Sequence, residues 1–174
     1  MHIFVFSILM LFNLTFSQDE KVLTKMDRFV SNTGQIMKLE NFNLPDLKGY
    51  SEFLKVKIRR ATTQGESQFY LLLIKEDEYG DKSAAIAEED LDDLIKAMDE
   101  LISLSENETT TSDYYENKFT TEDGFQIGYG GSKKPLWFVT LTSYGKSTIL
   151  FDKFADLKAT FLIAQKKISE LKSS

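Results

Sequence analysis

Apolar and polar residues follow two different periods along this chain, and the changes of period mark its elements. In SEFLKVKIRRAT every second residue is apolar from Leu54 to Ile58, and basic residues fill the positions between them. A period of two predicts a β-strand with one buried and one solvent-facing side. SQFYLLLIKE and KPLWFVTLTS are apolar on both faces, which predicts central strands.

Three segments carry apolar residues at spacings of three and four, which is the period of an α-helix. The first runs from Asp19 to Asn32, and Gly34 is placed to end it. The second is EEDLDDLIKAMDELISL, whose acidic opening suits the positive end of the helix dipole. The third begins at about Asp152, a candidate N-cap.

Shorter strands complete the pattern. We predict them in GQIMKLENFNLPDL, where Pro45 ends the strand, in KSAAIA and in KSTILF. YYENKFTTEDGFQIGYGG is typical of a hairpin that turns at Glu122-Asp123-Gly124. EYGDKSAAIAEEDLDDLIKAM also aligns with SYGKSTILFDKFADLKATF when two one-residue gaps are allowed. The predicted fold is therefore α+β, with two ββββα repeats in which each antiparallel sheet is followed by a packing helix.

The beginning of the chain differs from the rest. An uncharged apolar run from Ile3 to Phe16 precedes the polar Ser17-Gln18-Asp19-Glu20, as in a secretory signal. An uncleaved anchor or a buried strand is the alternative. We predict a signal peptide at 1–17, the N-terminal helix and first repeat at 18–105, a polar linker at 106–113 and the second repeat at 114–174, with both repeats in one globular domain.

Composition limits the possible chemistry. There is no cysteine, and the single histidine, His2, would leave with the signal peptide. This excludes histidine- and cysteine-based catalysis and the usual zinc and iron ligand sets. We expect no catalytic, cofactor-binding or metal-binding residue, and a protein that is not an enzyme. The net charge of −6 disfavours nucleic acid and anionic membranes as partners.

The stretch SYGKSTIL contains the Gly-Lys-Ser ending of a phosphate-binding loop. That loop needs a glycine five residues before Gly145, where this chain has Thr140, and a helix afterwards, where it has the strand-like TILF. We therefore predict a turn between two strands at Tyr144-Gly145.

Other clusters have structural explanations that we prefer to functional ones. Gly128-Tyr129-Gly130-Gly131 would let a ligand approach the backbone, but glycines at a strand end more often form bulges or turns. The carboxylates from Glu88 to Asp93 lack the spacing of a calcium loop, and the helix dipole accounts for them. Asn107-Glu108-Thr109 fits a glycosylation acceptor if the source is eukaryotic.

Six residues are candidates for binding a partner: Lys55, Lys57, Arg59, Arg60, Tyr70 and Trp137. The basic row on one strand face would suit phosphate or an acidic partner, although protection of the sheet against aggregation explains it better. The two aromatic residues lie in the doubly apolar strands. Core packing is the preferred explanation for them, and a ligand groove or dimer face is the alternative.

The ββββα order, carried by KSAAIAEEDLDDLIKAM and KSTILFDKFADLKATF, resembles that of the Whirly-type single-stranded nucleic-acid-binding proteins and the related transcriptional coactivator fold. Their binding motifs have no counterpart here. ENKFTTEDGFQIGYGG is similar to small exported proteins of unassigned function from Bacteroidota. The first resemblance implies an architecture and the second implies export; neither implies an activity.

These features together predict an exported protein, periplasmic or secreted, that is not stably inserted in a membrane after signal cleavage. We expect it to bind an unknown protein, or a second copy of itself, through a sheet face. The alternative is a nucleic-acid or polyanion binder that uses the four basic residues. An enzyme that relies on carboxylates or lysine is the third hypothesis.

Overall fold

The computed structural model describes residues 23–31, 34–109, 111–132, 135–142 and 147–174. The predicted signal peptide at 1–17 lies outside these ranges. The described elements, in chain order, are α1 (Lys25–Val30), β1 (Met37–Asn43), β2 (Leu47–Lys48), β3 (Phe53–Thr63), β4 (Glu66–Lys75), β5 (Lys82–Ala87), α2 (Glu88–Glu106), β6 (Tyr115–Thr120), β7 (Gln126–Gly131), β8 (Leu136–Thr140), β9 (Thr148–Phe151) and α3 (Phe154–Lys172). None of the described helices is long and apolar enough to cross a membrane.

The strands form two antiparallel sheets with the same order. The first sheet runs β1-β3-β4-β5, with β2 also paired to β3, and the second runs β6-β7-β8-β9. Each sheet is followed by a long helix, α2 or α3, so the predicted α+β fold of two sheet–helix units is confirmed. Because β5 and β9 are the last strands of their sheets, the aligned segments EYGDKSAAI and SYGKSTIL end in equivalent places.

One edge of the first sheet is interrupted. Asn43 of β1 pairs with Lys57, whereas Leu47 of β2 pairs with Leu54, so this side contains one residue more than β3 over the same stretch. Pro45 lies at the break, where it has no ladder hydrogen bond to lose. The sequence predicted the end of β1 at this proline, but not the short β2 beyond it.

The two units share one hydrophobic core. Helix α2 contacts β4 and β5 of its own sheet and β6 and β7 of the other, while α3 contacts α2, β2 and β3. One buried cluster accordingly includes side chains from both sheets and both helices, among them Leu54, Leu71, Leu94, Ile127 and Phe161. Burial of this common cluster makes the folding of each unit depend on the other.

Polar contacts fix α2 and α3 side by side. Lys158 pairs with Asp99, the Gln165 Nε2 donates to the Asp92 carboxylate at 2.6 Å, and the Lys172 ammonium lies 2.8 Å from the Glu88 carboxylate. Residue numbers rise along α3 as they fall along α2. The two helices are therefore antiparallel.

Two helix starts differ in detail from the prediction. Helix α1 begins only at Lys25, because Thr24 forms a capping box: the Asp27 N–H donates to its hydroxyl at 3.0 Å, and its own N–H donates to the Asp27 carboxylate at 3.2 Å. Helix α3 begins at Phe154, and the extended Lys153 occupies its N-cap position. The assignment of Asp152 as the N-cap is therefore wrong.

The neighbourhood of the GKST stretch is a strand pair. Residues 143–146, with the predicted turn, lie outside the described ranges. On either side of them Thr140 pairs with Thr148, and the Leu141 N–H donates to the Ser147 carbonyl at 3.2 Å. The chain continues into β9 and not into a helix, which is incompatible with a phosphate-binding loop. The division of the chain into domains at 105 and 114 stays a prediction.

Candidate functional site

Each sheet has an inner face, turned toward α2 and α3, and an outer face on the opposite side. Lys55, Lys57 and Arg59 lie on the outer face of the first sheet, as their alternation with buried residues predicts. Lys55 pairs with Glu76, and the Arg59 Nε donates to the Asn41 side-chain oxygen at 2.9 Å. The Lys57 ammonium makes no hydrogen bond or ion pair with another side chain in the described part of the chain.

Arg60 does not belong to that row. It follows Arg59 directly and therefore points to the opposite side of β3. There its guanidinium lies 2.7 Å from the Glu40 carboxylate and 5.6 Å from the centre of the Phe42 ring. Lys38 and Arg60 hold the pKa of the Glu40 carboxyl below its usual value. The prediction of a single four-residue basic face is thus wrong in its geometry.

Tyr70 lies beneath α1. Its side chain is 1% exposed on the outer face of the first sheet, in a second apolar cluster that also includes Ala61, Leu72 and Ala87. Met26, Phe29 and Val30 of α1 pack against this cluster. The N-terminal helix therefore covers the outer face of this doubly apolar strand. Tyr70 is part of this packing and is not on a free surface.

The start of α1 is held by acidic groups from both units. The Lys25 ammonium lies 2.7 Å from Glu89 and 2.6 Å from Asp90, and its backbone N–H donates to the Asp123 carboxylate at 3.0 and 2.9 Å. Hydrogen bonds to Asp90 and Glu89 raise the pKa of Lys25, and burial raises the pKa of Asp123. The acidic opening of α2 therefore binds the N-terminal helix.

The ionisation of Tyr70 tests this cover. Burial first, and then the nearby Glu89, Asp123 and Glu66 carboxylates, raise the pKa of Tyr70 to about 12, against about 10 in an unfolded chain. The resulting stabilisation is complete below pH 10 and is lost as the pH rises from 10 to 12, because only the unfolded chain ionises there. From pH 9 to pH 11 the free energy of unfolding should fall by about 1.3 kcal/mol more for the wild type than for Tyr70→Phe.

Urea unfolding at a series of pH values measures this difference. Tyr79→Phe, at a position that is 94% exposed, is the matched control. Parallel pH profiles for the wild type and Tyr70→Phe would show that α1 does not bury the hydroxyl.

Trp137 lines a groove between the helices and the second sheet. This helix groove has a volume of about 500 Å³, and it is bounded by Ile102, Trp137, Phe154, Ala155, Lys158, Ala159 and Leu162. The Trp137 ring centre lies 4.0 Å from that of Phe154 and 5.0 Å from that of Tyr129. Most of the indole is thus engaged in packing, and its remaining surface faces the groove.

A larger concavity of about 760 Å³ lies between the start of α2 and the end of α3. Its polar lining includes Glu88, Asp92, Gln165 and Lys172, which already pair with one another across the helices. Within the described ranges, no three acidic, histidine or cysteine side chains are grouped to hold a metal ion.

The outer face of the second sheet forms a shallow groove of about 450 Å³, which we call the outer groove. Its lining consists of Tyr114, Glu116, Lys118, Gln126, Gly130, Gly131, Leu136, Phe138, Thr140, Thr148 and Leu150. Leu136 and Leu150 are 43% and 41% exposed, so the groove presents apolar side chains to solvent. No helix described for this chain covers this face as α1 covers that of the first sheet.

Two glycines leave the floor of this face without side chains. A Cβ atom at Gly128 would lie 2.3 Å from the Asn117 carbonyl oxygen, and one at Gly130 would lie 2.7 Å from the Tyr115 carbonyl oxygen. Strand β7 keeps a continuous register with both neighbours, so these glycines form neither a bulge nor a turn. They are needed because the backbone of β6 lies against them. The sequence shows that the two glycines are two residues apart, but it does not show the close backbone of β6 that requires them.

Charges at the rim of the outer groove are balanced. The Lys118 ammonium lies 2.8 Å from the Glu116 carboxylate, and the Tyr114 hydroxyl donates to the same carboxylate at 3.0 Å. These hydrogen bonds, that from Lys118 above all, lower the pKa of Glu116. Between the groove's other strands, the hydroxyls of Thr140 and Thr148 lie 2.8 Å apart. The groove thus has an apolar centre and a neutral polar rim.

A polar cluster fixes the start of the linker to the inner face of the second sheet. Both the Tyr129 hydroxyl and the Asn117 side-chain amide donate to the Glu108 carboxylate, at 3.1 and 2.9 Å. Neighbouring Asn107 is exposed, and its amide donates to the Ser103 carbonyl at 2.8 Å. Its glycosylation stays a prediction.

Comparison of the chain with protein-family models, with curated proteins and with solved structures gives no match. The resemblances to Whirly-type proteins and to exported Bacteroidota proteins stay predictions.

Proposed function

We propose that this is an exported binding protein whose working surface is the outer groove of the second sheet. The observation that carries the proposal is the pair of exposed leucines, Leu136 and Leu150, on the same sheet face as Gly128 and Gly130. An apolar centre within a polar rim is the usual anatomy of a surface that binds another protein. Export rests on the apolar run from Ile3 to Phe16 in the sequence.

The shape of the groove favours one class of ligand. Small molecules are usually enclosed in deep concave sites, whereas this groove is shallow and lies across the strands of an open sheet. The bare backbone at Gly128 and Gly130 lets an extended chain approach closely. Since Glu116 and Lys118 neutralise each other, the groove suits an uncharged segment. We therefore expect an extended protein segment with alternating apolar side chains.

The polyanion alternative has less support. Lys55, Arg59 and Arg60 each engage a side chain of this protein, and the last of them lies on the other face of the sheet. A phosphate would have to displace those partners, at a cost to its own binding energy. Lys57 alone offers little of the charge that such binding needs.

A blocked peptide, acetyl-Leu-Thr-Phe-Thr-Leu-amide, is a suitable probe. Its addition to the ¹⁵N-labelled protein should shift the amide resonances of Gly128, Gly130 and Leu150 in the NMR spectrum. Leu150→Glu should weaken this binding about tenfold or more, because a carboxylate would then be desolvated in the contact.

Leu162→Glu is the matched control, since Leu162 is 43% exposed in the helix groove. It should bind the peptide as the wild type does. Absence of any shift, or shifts confined to the helix groove and abolished by Leu162→Glu, would overturn the proposal.

A further inference from the structure

Strand β6 is an edge whose free backbone groups can be assigned residue by residue. The ladder with β7 starts at the turn, where the Thr121 N–H donates to the Phe125 carbonyl at 2.9 Å. In an antiparallel ladder only every second residue bonds the neighbouring strand. Because the register is continuous, the residues of β6 that form backbone hydrogen bonds with β7 are every second one before Thr121, namely Phe119, Asn117 and Tyr115.

The residues between them therefore direct their N–H and carbonyl groups away from the sheet. These are Glu116, Lys118 and Thr120, and all three are exposed. No residue in the described ranges hydrogen-bonds their backbone groups. An unpaired row of this kind is a template for another strand.

Two of the other three edges are covered, and the edge of β1 is interrupted just beyond the end of the strand. Strand β1 pairs with β3 from Met37 to Asn43 and the edge breaks at Pro45, whereas β5 contacts α1. On β9, the Leu150 carbonyl accepts the Tyr50 N–H at 2.7 Å. Strand β6 has no proline and no bulge, and none of the described residues covers its edge in this way.

The side chains of β6 are complementary to themselves in one register. We infer that two copies of this chain pair through β6, antiparallel, about a twofold axis that passes at Asn117. Glu116 of each copy then lies opposite Lys118 of the other, which places unlike charges together twice on the outer face. On the inner face each Tyr115 lies opposite Phe119 of the second copy. Unlike charges and aromatic pairs are both favourable cross-strand partners.

Backbone geometry agrees with this register. Glu116 and Lys118 both direct their N–H and carbonyl groups outward, so each can exchange two hydrogen bonds with its opposite residue in the second copy. Asn117 meets its copy at a position where no backbone bond is required. Its side chain is already held on the inner face by Tyr129 and Glu108.

Neighbouring registers lack these matches. Moving the axis to Glu116 places two carboxylates opposite each other, and moving it to Lys118 does the same with two ammonium groups. Like charges in direct cross-strand contact are destabilising. The register at Asn117 therefore selects a second copy of this chain over an unrelated strand, and it joins two four-stranded sheets into one of eight strands.

Substitutions that reverse the charges of Glu116 and Lys118 test both the pairing and its register. Sedimentation equilibrium from micromolar to millimolar concentration should show a monomer–dimer equilibrium for the wild type. E116K and K118E each place like charges opposite each other twice, so each should weaken dimerisation about tenfold or more. The double variant E116K/K118E restores both matches and should dimerise as the wild type does.

The two single variants should also pair with each other when mixed in equal amounts, because lysines of one then face glutamates of the other. K118P provides a backbone test: it removes an outward N–H and no bond to β7, so it should leave a folded monomer. Thermal unfolding of each variant confirms its fold.

A wild type that stays monomeric would overturn the inference, and so would single variants that dimerise as the wild type does. The inference does not depend on what the outer groove binds. Peptide binding without dimerisation would contradict this pairing alone, and dimerisation without peptide binding would contradict only the proposed function.

Discussion

Gly128→Ala should lower the free energy of unfolding by about 3 kcal/mol, near the upper end for an added methyl group in a packed site. The new Cβ would lie 2.3 Å from the Asn117 carbonyl oxygen and 2.8 Å from the Lys118 Cβ. Backbone atoms of a paired strand cannot move aside as the end of a flexible side chain can. The clash must therefore separate β6 from β7 or distort both. Urea unfolding followed by circular dichroism measures the loss.

Two further substitutions on β7 calibrate this result. Gly130→Ala should cost less, because its closest contact would be 2.7 Å, with the Tyr115 carbonyl oxygen. Gln126→Ala, two residues before Gly128 on the same outer face, should change stability by about 0.5 kcal/mol or less. If Gly128→Ala were as stable as Gln126→Ala, β6 could not lie as close to β7 as described.

Phe161→Ala should destabilise the protein by about 3 to 5 kcal/mol. The Phe161 ring is completely buried, with its centre 6.1 Å from that of Phe125, in the cluster that both sheets share. Leu162→Ala changes the next residue of the same helix, which is 43% exposed. It should cost about 1 kcal/mol or less, since little apolar area is lost.

Phe161→Ala also tests whether the two units unfold together. Phe161 belongs to α3 of the second unit, but its cluster contains Leu54 and Leu71 of the first sheet. Hydrogen exchange at Leu71 and at Val139 of the second sheet should therefore accelerate equally in Phe161→Ala. Acceleration restricted to Val139 would mean that the units fold independently.

Local patterns were sufficient to predict most of the elements. The alternation along β3 and the helical stripe of α2 each lie within one segment. Each pattern leaves only one face on which the apolar side chains can be buried. Two local details differ from the prediction: Asp152 is not the N-cap of α3, and Arg60 does not share a face with Arg59. The surroundings of Arg60 also depend on a neighbouring strand, because β1 supplies its partner Glu40.

The candidate surfaces were predicted less well for the same reason. The sequence places Tyr70 and Trp137 in doubly apolar strands and favours core packing for both, but only the tertiary structure shows α1 above one and Phe154 beside the other. The spacing of Gly128 and Gly130 was visible, whereas the close backbone of β6 that requires them was not. The segment YENKF, whose charged and aromatic residues can pair with a second copy of itself, is also visible in the sequence. That pairing can be inferred only once the structure shows that β6 is an edge strand and which of its residues point outward.

In this account the second sheet carries the interactions of the protein, with its outer groove open to a ligand and its β6 edge open to a second copy. Amide hydrogen exchange along β6, measured at low and at high protein concentration, tests it most directly. Tyr115, Asn117 and Phe119 should be protected at both concentrations, because their amides bond β7. Glu116 and Lys118 should exchange rapidly in dilute protein and become protected as the concentration rises, because their amides bond the second copy. Fast exchange of these two amides at every concentration would contradict pairing through β6.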